Sequence, residues 1–211
     1  SKYTPASGIL ELKEAVCDKL SRENSLNYKP SQIVISSGAK HSLYNTLMAI
    51  CNPGDEIIVP VPYWVSYPEL IKLADGVPIL VETREDNNFK YKIDELLKAI
   101  TPRTKAIILN SPNNPTGVVY DLEELQKIAE IAIENDIIII SDEIYEKLIY
   151  GDIKHISIAS LNEEVKSRTI VINGVSKAYA MTGWRIGYTA STEEIARLMS
   201  NIQSHATSNP N

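Results

Sequence analysis

Short runs of β-branched and aliphatic residues alternate along the chain with segments of helical hydrophobic spacing. The runs predict strands at about residues 32–36, 56–60, 77–81, 105–110, 136–140, 169–173 and 186–190. Helical spacing predicts helices at about residues 8–23, 39–50, 62–75, 94–100, 121–135 and 191–205. Strands and helices that alternate in this way form a parallel sheet covered by crossover helices. The pattern predicts an α/β fold of three layers (αβα) around a mostly parallel sheet.

Local signals refine these elements. Asp121-Leu-Glu-Glu124 resembles a capping box and predicts the start of a helix. Asp94 is the predicted cap of a shorter helix. Residues 153–167 are polar and irregular, so we expect an exposed segment there. No internal repeat or interdomain linker is visible, and we expect one domain over residues 1–211.

Bulk composition excludes several classes of function. Hydrophobic residues make up 44% and charged residues 23%, which is ordinary for a globular protein. The net charge of −6 argues against a nucleic-acid-binding surface, and no apolar run has the length of a membrane span. The three histidines have no metal-ligand spacing, so we expect no metal site. Cys17 and Cys51 have no C-x-x-C spacing and indicate free thiols in a reducing, cytoplasmic compartment.

Polar, aromatic and glycine residues follow several of the predicted strands. The carboxyl ends of parallel strands share one edge of a sheet, and ligands bind beyond that edge. We therefore expect these residues to converge there: Gly38, Trp64, Asn114, Asp142 and Lys177. Each also has an ordinary structural explanation. Trp64 could simply pack, Asp142 could cap a strand end, and a glycine turn like that of Gly38 is common in α/β folds.

Lys177 and Arg185 lie close together in the chain, both beside ends of predicted strands. A lysine amine in such a place can act as a nucleophile, and an arginine is a fixed fork for phosphate or carboxylate. From the residues alone, both could equally be ordinary surface charges.

A different class of site also fits this stretch. Gly174-Val-Ser176-Lys-Ala178 is a near match to the G-x-S-x-G nucleophile elbow of hydrolases. That fold requires an acidic residue and then a histidine after the serine. Here no aspartate follows Ser176, and the one later histidine is His205. These departures weigh against a serine hydrolase.

The predicted set combines a lysine amine, an aspartate, a tyrosine, an asparagine, a tryptophan wall, an arginine and a glycine turn. Chemically it suits pyridoxal phosphate. This cofactor needs a lysine for its Schiff base, a carboxylate at its pyridinium nitrogen and a cradle for its phosphate.

Three blocks of sequence resemble the signatures of class I aminotransferases: Ser111-Pro-Asn-Asn-Pro-Thr-Gly117, Ser141-Asp-Glu-Ile-Tyr145 and Gly174-Val-Ser-Lys-Ala-Tyr-Ala-Met-Thr-Gly-Trp-Arg-Ile-Gly187. Two further blocks are similar to the bacterial aspartate aminotransferase branch: Ser37-Gly-Ala-Lys40 and Pro62-Tyr-Trp-Val-Ser-Tyr67. The resemblance covers essentially the whole chain in the family's order. It implies the large, cofactor-binding domain of fold type I.

The resemblance assigns roles to residues. Lys177 would hold the cofactor as a Schiff base and move the substrate proton. Asp142 would pair with the pyridine nitrogen, and Tyr145 would bind the ring oxygen. Asn114 would also bind the ring oxygen, and Trp64 would stack on the ring and contact the substrate. The residues that would bind the phosphate are Gly38, Ala39, Lys40, Ser176 and Arg185. Asn114 and Lys40 would contact the substrate, and Tyr3 would reach the phosphate of the neighbouring subunit in a homodimer.

Two departures from the family stand out. Gly174 occupies a position where some relatives carry a phosphate-binding serine. Family members are also considerably longer, so we expect an N-terminal arm and a C-terminal small domain to be missing from this chain. We expect transamination from aspartate or a similar amino acid to 2-oxoglutarate, with the fragment alone inactive. The alternative is a regulator whose aminotransferase-like domain only senses the cofactor.

Overall fold

The computed structural model describes residues 2–211, which fold around one seven-stranded sheet. The strands are β1 (Ile33–Ser36), β2 (Glu56–Val61), β3 (Val77–Glu82), β4 (Thr104–Asn110), β5 (Ile138–Asp142), β6 (Thr169–Gly174) and β7 (Gly187–Ala190). The helices are α1 (Leu10–Asn24), α2 (Ala39–Ile50), α3 (Ser66–Leu73), α4 (Ile93–Ala99), α5 (Leu122–Glu134), α6 (Glu163–Ser167), α7 (Val175–Ala178) and α8 (Glu193–Ala206). The predicted α/β class is confirmed.

The sheet is mostly parallel, as predicted, with one exception at β7. The strand order is β1-β7-β6-β5-β4-β2-β3. All pairings from β6 to β3 are parallel, whereas β7 runs antiparallel to both β6 and β1. Because β7 reverses direction, its first residue lies at the same edge as the last residues of β1 and β6. This edge collects the ends of six strands and the start of the seventh, β7.

Alternating side chains of the central strands build a core on each face of the sheet. Ile107 and Ile139 point to the face covered by α4 and α5, where Leu96 and Leu125 are buried. Their neighbours in the strands point to the opposite face, which α2 and α3 cover. Both faces of the central strands are therefore apolar, which explains their nearly continuous isoleucine runs. The three-layer arrangement follows.

Capping chemistry fixes the helix that leads into β5. Asp121 Oδ1 accepts a hydrogen bond from the amide of Glu124 at 3.0 Å, and Glu124 Oε2 accepts one from the amide of Asp121 at 2.8 Å. The predicted capping box is therefore present.

Three local predictions are wrong. Asp94 lies inside the first turn of α4, and the capping position belongs to Lys92. Asp136 is not in β5, because its φ of 53° places it in the turn before the strand, a conformation that aspartate tolerates. Residues 153–167 are not simply exposed. Ile158 and Val165 from this segment are buried in the core, since α6 packs beside α5.

No helix among residues 2–211 combines the length and the apolar character needed to cross a membrane.

Candidate active site

A cavity of about 240 Å³ opens at the sheet edge where the strand ends meet. It contains most of the residues predicted from the sequence: Ala39, Lys40, Trp64, Asn114, Asp142, Tyr145, Ser176, Lys177 and Arg185. Parallel strands bring these residues together although they are far apart in the chain. Of the five residues predicted to converge, Trp64, Asn114, Asp142 and Lys177 line this cavity.

Asp142 ends β5 at the floor of the cavity and is buried. Its Oδ2 accepts a hydrogen bond from the hydroxyl of Tyr67 at 2.7 Å, and its Oδ1 accepts one from the amide of Ile144 at 3.2 Å. None of the ion pairs within residues 2–211 includes Asp142. Burial raises the pKa of Asp142 to about 6, although the hydrogen bond from Tyr67 favours the charged form. A buried carboxylate without a cation suits a cationic ligand atom.

Asn114 and Tyr145 lie together on one side of the cavity. The side-chain amide of Asn114 donates to the hydroxyl of Tyr145 at 3.4 Å, and the Asn114 backbone amide donates to Oδ1 of Asn110 at 2.8 Å. Lys177, from the short helix α7 after β6, places its Nζ 5.5 Å from the centroid of the Tyr145 ring. The amine, the phenol and the carboxamide therefore face one shared space.

The start of α2 and Arg185 form a cationic corner. Gly38 caps α2 with φ of 85°, a conformation that favours glycine. The first amides of a helix have no partners within the helix and can bind an anion. Arg185 Nη2 donates to the carbonyl of Ser37 at 3.3 Å, and its Nη1 donates to the carbonyl of Thr182 at 2.9 Å. The guanidinium is thereby fixed beside the helix start.

His41 supports this turn from within α2. The amide of Ser37 donates to Nδ1 of His41 at 3.2 Å. Burial lowers the pKa of His41 below its ordinary value, which keeps the imidazole neutral and able to accept this bond.

Trp64 forms a flat wall between β2 and α3. The ring of Tyr67 meets it edge-on, with centroids 5.5 Å apart and an interplanar angle of 89°. Lys40 Nζ lies 4.9 Å from the centroid of the Trp64 ring. Lys40 is exposed, so its ammonium is available at the mouth of the cavity.

Several cavity residues have no role in the sequence-based prediction: Leu43, Tyr67, Asn110, Ile144 and Thr182. Tyr67 lies within a quoted block, but nothing in its spacing shows that its hydroxyl reaches Asp142. Asn110 ends β4, and its position after an apolar run was a usable signal. Its Nδ2 donates to the carbonyl of Asp142 at 3.0 Å.

Two other predicted residues lie elsewhere. Gly38 does not line the cavity but supports Ala39 at its rim. Tyr3 is 89% exposed and does not line the cavity. His205, which a serine hydrolase would need, lies exposed near the end of α8 and is not a cavity residue either.

A second polar cluster lies behind the cavity, on the α1 side of the sheet. Glu143 accepts hydrogen bonds from Ser141 at 2.8 Å and Ser157 at 2.6 Å, and it pairs with His155 Nε2 at 2.9 Å. Glu146 is paired with Lys19. The ligand atoms of Glu143, Glu146 and His155 lie within 4.8 Å of one another. Protein partners already engage these carboxylates, so the cluster is built as an ion-pair network.

Comparison with known proteins agrees with this geometry. The family profile "Aminotransferase class I and II" matches residues 1–211. The aspartate aminotransferase of Bacillus sp. (strain YM-2) is 56% identical over 210 residues, covering 100% of this chain and 54% of that protein. The chain thus spans about half the length of this relative.

Solved structures are similarly close. Aspartate aminotransferase from Thermus thermophilus with maleate superposes with a TM-score of 0.96 at 45% identity, covering 100% of this chain and 54% of the other. The aromatic aminotransferase of Pyrococcus horikoshii gives a TM-score of 0.97 at 42% identity, with 100% and 56% coverage. The fold is that of the fold type I large domain, and the chain belongs to the class I and II aminotransferases.

Proposed function

We propose that the protein of which this chain is part catalyses transamination from aspartate, or a similar amino acid, to 2-oxoglutarate with pyridoxal phosphate. One observation carries the proposal. Lys177, Asp142 and Arg185 come from three separate strand ends and line one cavity. This cofactor requires an amine for its Schiff base and a carboxylate for its pyridinium nitrogen, and a guanidinium suits its phosphate.

The residues fit pyridoxal phosphate. Asp142 is buried without a cation in the described chain, which suits a protonated pyridine nitrogen. A β-carbon on Gly38 would overlap Arg185 Nη2, so the glycine leaves room for a guanidinium next to the amides of α2. That arrangement suits a phosphate group.

Each residue would then have a defined task. The amides of Ala39 and Lys40, the hydroxyl of Ser176 and the guanidinium of Arg185 would bind the phosphate. Asn114 and Tyr145 would bind the ring oxygen, and Trp64 would stack against the ring. Asp142 would hold the proton on the pyridine nitrogen.

Lys177 would be the point of covalent attachment. When bound, the cofactor supplies an electron-withdrawing ring that stabilises negative charge at the substrate α-carbon. The amine of Lys177 would take the α-proton of the substrate as a general base and would later donate a proton as a general acid.

We also propose a homodimer and a cytoplasmic location. Tyr3 is 89% exposed, as a residue must be if it reaches the phosphate of a neighbouring subunit. Cys17 and Cys51 are free thiols, which suits a reducing compartment.

The names of the relatives support an aminotransferase over a regulator that only senses the cofactor. The test uses the full-length protein with pyridoxal phosphate. Borohydride reduction followed by peptide mapping should label Lys177, and aspartate with 2-oxoglutarate should yield glutamate. Lys177→Ala should abolish both. Labelling of another lysine would reject the assignment, and cofactor binding without turnover would favour the regulator.

A further inference from the structure

We propose that Tyr67 is a positioning residue that holds two parts of the site at once, the carboxylate of Asp142 and the indole of Trp64. The inference rests on the proposed function, in which Asp142 faces the pyridine nitrogen and Trp64 the ring.

The first contact fixes the carboxylate. Tyr67 is 1% exposed, and its hydroxyl donates to Asp142 Oδ2 at 2.7 Å. Burial raises the pKa of Tyr67 well above its ordinary value, so the phenol stays protonated and remains a donor. The amide of Ile144 binds the other oxygen. With both oxygens held, the carboxylate plane has one orientation toward the cavity.

The second contact fixes the aromatic wall. Trp64 precedes α3, and Tyr67 lies in its first turn, where the Tyr67 amide donates to the Trp64 carbonyl at 3.0 Å. The two rings also meet edge-on, which is an arrangement that aromatic pairs prefer. The start of one helix therefore sets the spacing between the wall and the carboxylate.

Packing alone does not explain the hydroxyl. The ring of Tyr67 belongs to an apolar cluster with Leu43 and Ile140, where phenylalanine would fill the same space. Within residues 2–211 the hydroxyl donates its hydrogen bond to Asp142. Burying a hydroxyl costs free energy unless a partner accepts its bond, so the pair must be considered as a unit.

Tyr91 offers a matched control. It is also a buried tyrosine with one hydroxyl bond, to the carbonyl of Ile108 at 3.0 Å, and it does not line the cavity. Tyr67→Phe and Tyr91→Phe each remove one buried hydroxyl from a retained ring. Any difference between them in site properties therefore reports the Asp142 contact rather than packing.

The first measurement uses the full-length apoprotein. Carbon NMR of labelled aspartate carboxyls, with Asp142→Asn to assign the signal, gives the titration of Asp142. A hydrogen bond to a charged group is worth enough that its loss should raise the pKa of Asp142 by roughly one unit in Tyr67→Phe. Tyr91→Phe should leave it unchanged. Equal titrations in the two variants would overturn the proposal.

The second measurement uses the cofactor-loaded enzyme. Tyr67→Phe should lower kcat about tenfold and shift the acidic limb of the pH profile upward, while Tyr91→Phe keeps the wild-type profile. An unshifted profile in Tyr67→Phe would count against the proposal.

Two further results separate the possible failures. If Tyr67→Phe does not fold, the wild-type apoprotein still decides, because the ring-carbon resonance of Tyr67 should follow the titration of Asp142. A Tyr67 resonance that does not change as Asp142 titrates would overturn the positioning role. If Asp142→Asn itself retains wild-type turnover, the proposed function of Asp142 fails instead, whatever Tyr67 does.

Discussion

The guanidinium of Arg185 occupies the space that a side chain on Gly38 would fill. A β-carbon built on Gly38 would overlap Nη2 of Arg185. Gly38 follows β1 and Arg185 precedes β7, and these strands are paired in the sheet. The absence of a side chain at one strand end therefore determines where the cation of the next strand lies.

Replacing Gly38 tests this relationship. Gly38→Ala should displace Arg185 and reduce pyridoxal phosphate affinity about tenfold or more, because a charged hydrogen bond is worth about 1.5–3 kcal/mol. Gly54→Ala is the matched control, since its φ of 87° gives similar backbone strain and nothing lies within 4 Å of the added carbon. Both variants should lose about 1 kcal/mol or more of unfolding free energy from that strain. Equal cofactor affinities in the two variants would contradict the prediction.

Asp142→Asn should change both turnover and the pH dependence of stability. Burial raises the pKa of Asp142 from 3.8 to about 6, so the folded state holds this proton more tightly than the unfolded state does. Wild-type stability should therefore fall, relative to Asp142→Asn, as pH rises from about 4 to 7, by about 2–3 kcal/mol. Urea unfolding of the apoprotein at several pH values measures this difference in unfolding free energy. Parallel pH curves for wild type and Asp142→Asn would refute the prediction.

The same substitution should reduce turnover of the full-length enzyme at least a hundredfold, since a neutral amide cannot hold the pyridinium charge. Near wild-type turnover would leave Asp142 only a structural role.

Lys40 tests the preference for acidic substrates. Its ammonium lies 4.9 Å from the Trp64 ring centroid at the cavity mouth, where it can meet a distal carboxylate. Lys40→Ala should reduce kcat/KM for aspartate and glutamate roughly tenfold to hundredfold while sparing alanine and aromatic donors. Lys98→Ala, which removes an exposed cation from α4, should spare all donors. An equal loss for acidic and neutral donors would place Lys40 with the phosphate instead.

The buried Glu143–His155 pair should give stability that depends on pH. Burial opposes the charge on each group, but their mutual attraction raises the pKa of His155 and lowers that of Glu143. The pair stabilises most between the ordinary values of 4.5 and 6.5. Its contribution to stability falls as pH rises through the raised pKa of His155. It also falls as pH decreases through the lowered pKa of Glu143.

The advantage of wild type over His155→Gln in unfolding free energy should therefore shrink between pH 6 and 9. His205→Gln, which removes an exposed histidine near the end of α8, is the matched control for the substitution itself. A constant advantage across this range would mean that His155 stabilises by packing alone.

Hydrophobic periodicity was sufficient to predict most of the strands and the edge where the site lies. That edge follows from a general property of parallel sheets, so Asp142 and Lys177 could be brought together without coordinates. The direction of β7 could not be predicted, because an apolar run has the same pattern in either direction. Only the pairing register, such as Asn173 opposite Tyr188, reveals it.

The role of Tyr67 was hidden for a different reason. An aromatic residue at helical spacing predicts burial, and Tyr67 is buried, but spacing does not say where a hydroxyl points. Asp136 was misplaced because it adjoins an apolar run, whereas its left-handed backbone depends on how α5 ends. Hydrogen-bond partners and turn geometry arise from tertiary packing, which the one-dimensional pattern does not contain.

The placement of β7 also bears on synthesis at the ribosome. In the sheet, β1 pairs with β7 alone, so β1 gains its partner strand only once residues 187–190 have emerged. Because the ribosome adds about 5–20 residues per second, β1 remains without its partner strand for on the order of ten seconds or more. Arg185 and Gly38 meet only at that late step. In a nascent chain stalled before Gly187, β1 would therefore remain unpaired and the cationic corner incomplete. Both would be accessible to chaperones and proteases.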